Sequence, residues 1–138
     1  MARAGDLDPA ATYRLLAEDP EAVLVDVRTR AEWSWVGLAD LSGLGKDVVR
    51  VEWVGFPDGA RNGAFLEQLS AAGVRPEVPV AFICRSGQRS AAAAELAAAA
   101  GYRRAYNVSE GFEGPLDGDG HRGTTSGWKS SGLPWRQL

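Results

Sequence analysis

Short, unbroken apolar runs alternate along this chain with segments whose apolar residues return at a helical spacing. "AVLVDV" (Ala22 to Val27) and "VPVAFI" (Val78 to Ile83) are nearly continuous and β-branched, the pattern of strands covered on both faces. "DVVRVEW" (Asp47 to Trp53) alternates instead, which predicts a less buried strand at the sheet edge. "RRAYNV" offers one more strand. Asp8 and Pro9 open a helix through "DPAATYRLLAED", with Leu15 and Leu16 on its apolar stripe. "ARNGAFLEQLSAAG" places Phe65, Leu66 and Leu69 on one helical face and stops at Gly73. Ser90 to Ala100 is the most strongly favoured helix, rich in alanine and closed by Gly101. "RAEWSWV" predicts a short helical turn, and the glycines of "LSGLGK" predict loop.

Strands alternating with helices imply an α/β fold, a parallel sheet with helices on both faces and right-handed crossovers between its strands. In such sheets ligands bind beyond the carboxyl ends of the strands. Cys84 falls at that edge, directly after the most apolar strand. A chain of 138 residues can bury one ordinary core and is too short for two, so one domain over 1–138 is expected. Its last segment, 111–138, is rich in Gly, Ser and polar residues yet carries Trp128, Leu133, Pro134 and Trp135. An ordered, irregular wrap pinned by those aromatics is expected there.

Charge and composition narrow the chemistry. A formal net charge of -3 gives no overall attraction to phosphate backbones or anionic lipid, so neither nucleic acid nor a membrane is an expected partner. Any anion site must be local. No apolar run reaches the length of a membrane span, and "MARAGDLDPAATY" lacks the apolar centre of a signal peptide; a cytoplasmic chain is expected. A single cysteine cannot close an internal disulfide, so this thiol is either inert packing or a nucleophile. With one histidine, His121, a metal site of the usual nitrogen and sulfur ligands is hard to assemble, and none is expected.

The stretch "CRSGQRS" decides between packing and nucleophile. A helix starting near Arg89 or Ser90 aims its unsatisfied N–H groups and the positive end of its dipole at the preceding loop. Gly87 allows that loop to curl so that successive amides converge as an anion-binding nest. Arg85 and Arg89 add two permanent charges with bidentate donors. These conditions favour a reactive thiolate. A lone buried cysteine elsewhere would be read as packing; between a buried strand and a helix N-terminus, flanked by Arg and Gly, Cys84 reads as a nucleophile.

With "VLVDVRTRAEW" before this loop and "EGF" and "GWKSSGLPW" after it, the chain resembles the single-domain rhodaneses, a sulfurtransferase family, from about Leu7 to Trp135. The resemblance implies a three-layer α/β/α rhodanese-like domain with a five-stranded parallel sheet. It implies that Cys84 takes a sulfane sulfur from a small anionic donor such as thiosulfate, becomes a persulfide, and passes the sulfur to a thiol, a protein sulfur acceptor or cyanide, with no cofactor. Arg85, Ser86, Gly87, Gln88, Arg89 and Ser90 form the substrate-binding loop in this reading. Asp26 is implied to support that loop, with pairing to Arg85 one way to do so, while Arg28 and Glu32 tie together the turn after the strand. All three are read as structural rather than catalytic. The loop also suits the chemistry directly, because sulfite leaves with growing negative charge and fixed donors stabilise it without reorganising.

Two other readings stand beside it: a non-catalytic binding or regulatory module on the same fold, and a Cys-dependent phosphatase or arsenate reductase. Related phosphatases use Cys-x5-Arg, whereas here Ser90 is the sixth residue after Cys84 and the arginine comes one position early, at Arg89. Ile83 stands where a tyrosine phosphatase has histidine. The family often continues Gly-His-Ile after its acidic and aromatic pair, but this chain runs "EWSWVGLADL". His121, in a loop of Gly and Asp, reads as a turn residue rather than a base. "DGDG" lacks the later glutamate of a calcium loop. Trp33, Trp35, Trp53, Trp128 and Trp135 are dispersed, and are expected to fill core and seams.

Overall fold

The computed structural model describes residues 2–55 and 57–138. In chain order the elements are β1 (Gly5–Leu7), α1 (Pro9–Glu18), β2 (Val23–Asp26), α2 (Arg30–Trp35), β3 (Leu38–Ala39), a 3-10 turn (Ser42–Leu44) and β4 (Val49–Arg50). There follow α3 (Phe65–Ala71), β5 (Val80–Ile83), α4 (Gln88–Ala99), β6 (Ala105–Val108) and β7 (Trp135–Arg136). The ends of these elements follow local chemistry. Asp8 caps α1 by accepting from Ala11 N at 2.7 Å, one residue ahead of Pro9. Thr29 and Glu32 form a reciprocal capping box that starts α2. The sequence "TRAE" carries that signature, so α2 is a defined helix rather than a loose turn.

Five strands form one parallel sheet in the order β1-β6-β5-β2-β4. Side chains alternate across it as strand geometry requires. Val25, Val80, Phe82 and Ala105 face α3 and α4, where they meet Phe65, Leu69, Ala93 and Ala97. Leu24, Ala81, Ile83 and Val108 face the other way, onto Leu16 of α1 and onto Phe112 and Trp128. Cys84 continues the alternation of Val80 and Phe82 and so belongs to the α4 side. The expected α/β architecture with a five-stranded parallel sheet is observed.

Several elements differ from the pattern reading. "DVVRVEW" is regular strand only at Val49–Arg50, although Val51 N and Trp53 N still bond to Asp26 O and Val27 O at 3.1 and 3.0 Å. β1 is only three residues long and exists because β6 lies beside it, with Gly5, Asp6 and Leu7 in register with Tyr106, Asn107 and Val108. β3 and β7 form a separate antiparallel pair between the centre and the end of the chain. The tryptophans also divide. Trp33, Trp53 and Trp128 are buried, but Trp35 is 76% exposed on the outer side of α2, so it fills neither core nor seam.

Within 111–138, Trp128 has no exposed surface; its ring meets Tyr13 edge-on at 5.9 Å and its Nε1 donates to Pro134 O at 2.7 Å. Its backbone N bonds to Gly111 O at 2.9 Å, which holds the loop after β6 against the sheet. Trp128→Ala is expected to destabilise the protein by about 3–5 kcal/mol, the usual cost of emptying a buried aromatic site. Urea unfolding checks this, and a loss under about 1 kcal/mol would show that the ring is not part of the core.

Candidate active site

The sheet delivers Cys84 to the carboxyl edge immediately after β5, and α4 begins four residues later at Gln88. The thiol is 1% exposed. Between strand and helix the backbone reverses at Gly87, whose φ is 109°. A Cβ there would strike Ser109 O, so only glycine fits on both steric counts. The reversal brings Gly87 N to 3.1 Å from Cys84 Sγ and Ser90 N to 3.3 Å. Ser90 Oγ stands 3.1 Å from the same sulfur and donates to Asn107 Oδ1 at 2.6 Å. The sulfur thus sits in a cup of amides at the positive end of α4.

The two loop arginines have different fates. Arg89 is taken by Glu32, with Nη1 to Oε1 at 2.7 Å and Nη2 to Oε2 at 3.0 Å. Arg85 is exposed, and among the described residues no carboxylate meets its guanidinium. Ser86 is half-buried and Gln88 exposed, and neither side chain is tied to another group among the described residues. Asp26 does not pair with Arg85. It holds Arg28 instead, through Nε to Oδ1 at 3.0 Å and Nη2 to Oδ2 at 2.7 Å, both side chains buried. Arg28 also donates to Gly37 O at 2.6 Å and lies 4.4 Å over the Phe112 ring. Arg28 and Glu32 both hold the turn after β2: Arg28 ties it to Gly37 and Phe112, while Glu32 accepts from Thr29 N in the same turn and also reaches across to Arg89 of the cysteine loop.

Asp26 cannot serve Arg85 because its buried carboxylate is saturated by its own neighbour, including Arg28 N at 3.0 Å, while Arg85 faces solvent. For Glu32, burial alone would push the carboxyl up, but the hydrogen bonds from Arg89 and Thr29 and the Arg89 charge outweigh it and hold it at about 2.

Two further elements complete the site, neither among the site residues expected from the sequence, although Phe112 lies in the "EGF" stretch. Asn107, a polar residue inside the apolar run of β6, is the acceptor for Ser90. Phe112 N bonds to Cys84 O at 2.8 Å, and Glu113 N and Gly114 N bond to Arg85 O at 3.0 and 3.1 Å. These bonds lock the loop after β6 onto the cysteine loop. Between that segment and α2 opens a cavity of about 910 Å³ lined by Glu32, Trp35, Arg85, Leu116, His121 and Arg122 among others. His121 sits on its wall in a turn organised by Asp117, which accepts from Asp119 N and His121 N at 2.9 Å and from Thr124 Oγ1 at 2.6 Å. Of the two "DGDG" carboxylates, that of Asp117 is occupied by its own loop, and among the described residues no three His, Cys, Asp or Glu side chains gather to hold a metal ion.

Sheet order, strand-end cysteine and amide cup together define a rhodanese-like domain. A crystal structure of Rv0390 from M. tuberculosis superimposes with a TM-score of 0.92 at 52% identity, covering 99% of this chain and 100% of that one. The homodimeric polysulfide-sulfur transferase of Wolinella succinogenes does so with a TM-score of 0.64 at 26% identity over 99% and 80% of the two chains. The chain belongs to the family described as STR4 middle domain, which matches residues 6–138. Among its sequence relatives, an uncharacterized protein of Rickettsia conorii is 37% identical over 90% of each chain. The chloroplastic protein THYLAKOID RHODANESE-LIKE of Oryza sativa subsp. indica is 34% identical over 95% of this chain, which spans 25% of that longer protein.

The Glu32 carboxyl is held near 2, below its ordinary 4.5, so it favours the folded state above pH 4.5, and the contribution disappears as the pH falls from there toward 2. Glu32→Gln is therefore expected to be less stable than the unaltered protein at neutral pH, with the gap closing through that acid window. Urea unfolding at a series of pH values measures it; a gap independent of pH would mean that the ion pair with Arg89 does not contribute.

Proposed function

We propose that this protein is a sulfurtransferase that carries a sulfane sulfur as a persulfide on Cys84, from a donor such as thiosulfate to a thiol or cyanide. Its rhodanese-like relatives and the sulfur transferase among its structural neighbours support that class of activity. The observation that carries the reading is the pair of backbone donors around Cys84 Sγ, from Gly87 N at 3.1 Å and Ser90 N at 3.3 Å. Those amides face the sulfur from the start of α4, and in this reading the thiolate is the nucleophile. The thiolate attacks the outer sulfur of thiosulfate, a new S–S bond forms to Sγ, and the donor's S–S bond breaks with its electron pair leaving on sulfite. The second half reverses the logic: an acceptor attacks the outer sulfur of the persulfide, and the electron pair of the broken bond returns to Cys84 Sγ.

In this reading the unpaired Arg85 receives the anionic donor and the departing sulfite, whereas Arg89 fixes the loop through Glu32. No base is required once the thiol is ionised.

Intact mass after thiosulfate treatment is expected to rise by one sulfur atom, reversibly with a thiol reductant, and Cys84→Ser is expected to abolish both the adduct and turnover. An unmodified mass at saturating thiosulfate would refute the proposal. Arg85→Ala is expected to lower kcat/KM for thiosulfate by about 10- to 100-fold, the scale of one charge-assisted hydrogen bond. Undiminished kinetics in that variant would place the donor elsewhere.

A further inference from the structure

The cavity that Arg85, the residue after Cys84, borders is far larger than a small sulfur donor needs. Thiosulfate and cyanide each have only a few heavy atoms, whereas 910 Å³ lies near the top of the usual range for pockets that enclose drug-sized ligands. Its rim is also unusual for a free surface. Trp35 is 76% exposed and Leu116 56%, and both flank this cavity. Trp35 in addition forms a wall of a neighbouring groove of about 510 Å³ with Arg30, Ser34 and Glu52. An exposed tryptophan bordered by a groove on each side is covered only by a body that straddles it, which a small thiol inside one cavity does not do. Large exposed apolar groups beside a functional cleft mark contact surfaces, and tryptophan is the side chain most enriched at the centres of such contacts.

Charge gives the partner its sign. Two guanidinium groups, Arg85 and Arg122, face the cavity beside His121, and Arg122 is held in place by Gly114 O at 2.9 Å. Of the two carboxylates on the wall, Glu32 is already neutralised by Arg89, which leaves Glu113. The cavity is thus locally cationic on a chain whose net charge is -3. A second copy of this chain cannot be the acceptor, because its one cysteine is the buried Cys84 itself.

Resting on the sulfurtransferase reading above, we propose that the physiological acceptor is another protein, which presents a cysteine on a slender acidic segment that enters this cavity while its body covers Trp35 and Leu116. The partner thiol R–S–H meets the persulfide anion Cys84–S–S⁻. A bond forms from R–S to the outer sulfur, the old S–S bond breaks with its electron pair on Sγ, the proton of the incoming thiol ends on Sγ, and R–S–S⁻ departs. No oxidant or reductant is consumed. The acidic residues beside the partner cysteine pair with Arg85 and Arg122, which speeds encounter and makes it sensitive to salt.

Two measurements on the full chain test the surface separately from the chemistry. In the first, a fluorescently labelled peptide with an S-methylated cysteine between glutamates is titrated and followed by anisotropy, which needs no persulfide. It is expected to bind at least about tenfold tighter than the same peptide with lysines, with the advantage falling as salt is raised. Trp35→Ala and Leu116→Ala are each expected to lose about tenfold in affinity, with Trp35→Phe retaining most of it. In the second, the thiosulfate-loaded protein is given the unmethylated acidic peptide. Transfer is expected to show a raised KM in Trp35→Ala while formation of the Cys84 persulfide from thiosulfate is unchanged. Equal binding of acidic and basic peptides, or undiminished binding by Trp35→Ala, overturns the docking surface and leaves the sulfurtransferase reading standing. Binding as expected, with no persulfide formed from thiosulfate, overturns the transfer step and that reading instead.

Discussion

The backbone reversal at Gly87 is the constraint on which the site depends. A strand buried on both faces ends at Cys84, and a helix packed on the same sheet begins at Gln88. The chain has three residues in which to turn from one direction to the other, and at a φ of 109° a side chain would collide with Ser109 O. Accepting that turn points Gly87 N and Ser90 N at the sulfur instead of at one another's carbonyls. Two of the amides at the start of α4, those of Gly87 and Ser90, thereby find their acceptor in the sulfur. Packing and chemistry are one feature here, since the helix needs acceptors at its start and the sulfur supplies one.

Around this cup the charged residues divide the labour by burial. Asp26 and Arg28 are both sealed from solvent, an arrangement that costs desolvation and is offset by several hydrogen bonds between them, although Arg28 Nη1 has no partner among the described residues. Their return is geometric: Arg28 clamps Gly37 O and the Phe112 ring, and Phe112 N in turn clamps Cys84 O. Glu32 and Arg89 form a second, half-buried clamp between α2 and the start of α4. Among the described residues no carboxylate meets Arg85, so the two arginines of one short motif stand in different environments.

The sequence was most informative where a property is local. β2, β5, α1 and α4 follow from apolar periodicity, from the Asp8 cap with Pro9, and from an alanine run closed by glycine. The position of Cys84 at the carboxyl edge follows from counting along β5. Less legible were β1, whose three residues become a strand only beside β6, and the pairing of β3 with β7, which joins residues nearly a hundred positions apart. Neither has a pattern of its own, because the stabilising hydrogen bonds belong to a distant neighbour.

At the site the same division holds. The order of residue types in "CRSGQRS" determined that amides and positive charge surround a thiol, because a glycine before a helix start allows little else. Which charge meets which was decided by tertiary structure: Glu32 and Arg89 are 57 residues apart in the chain yet share two hydrogen bonds, and Asp26 turned to Arg28 rather than to Arg85. Asn107 entered the site because β6 lies beside β5, and Trp35 stayed outside the core because the short helix α2 buries Trp33 and turns Trp35 away. Ion pairs and side-chain exposure depend on the distance between elements brought together by folding, a quantity that no local pattern of residues encodes.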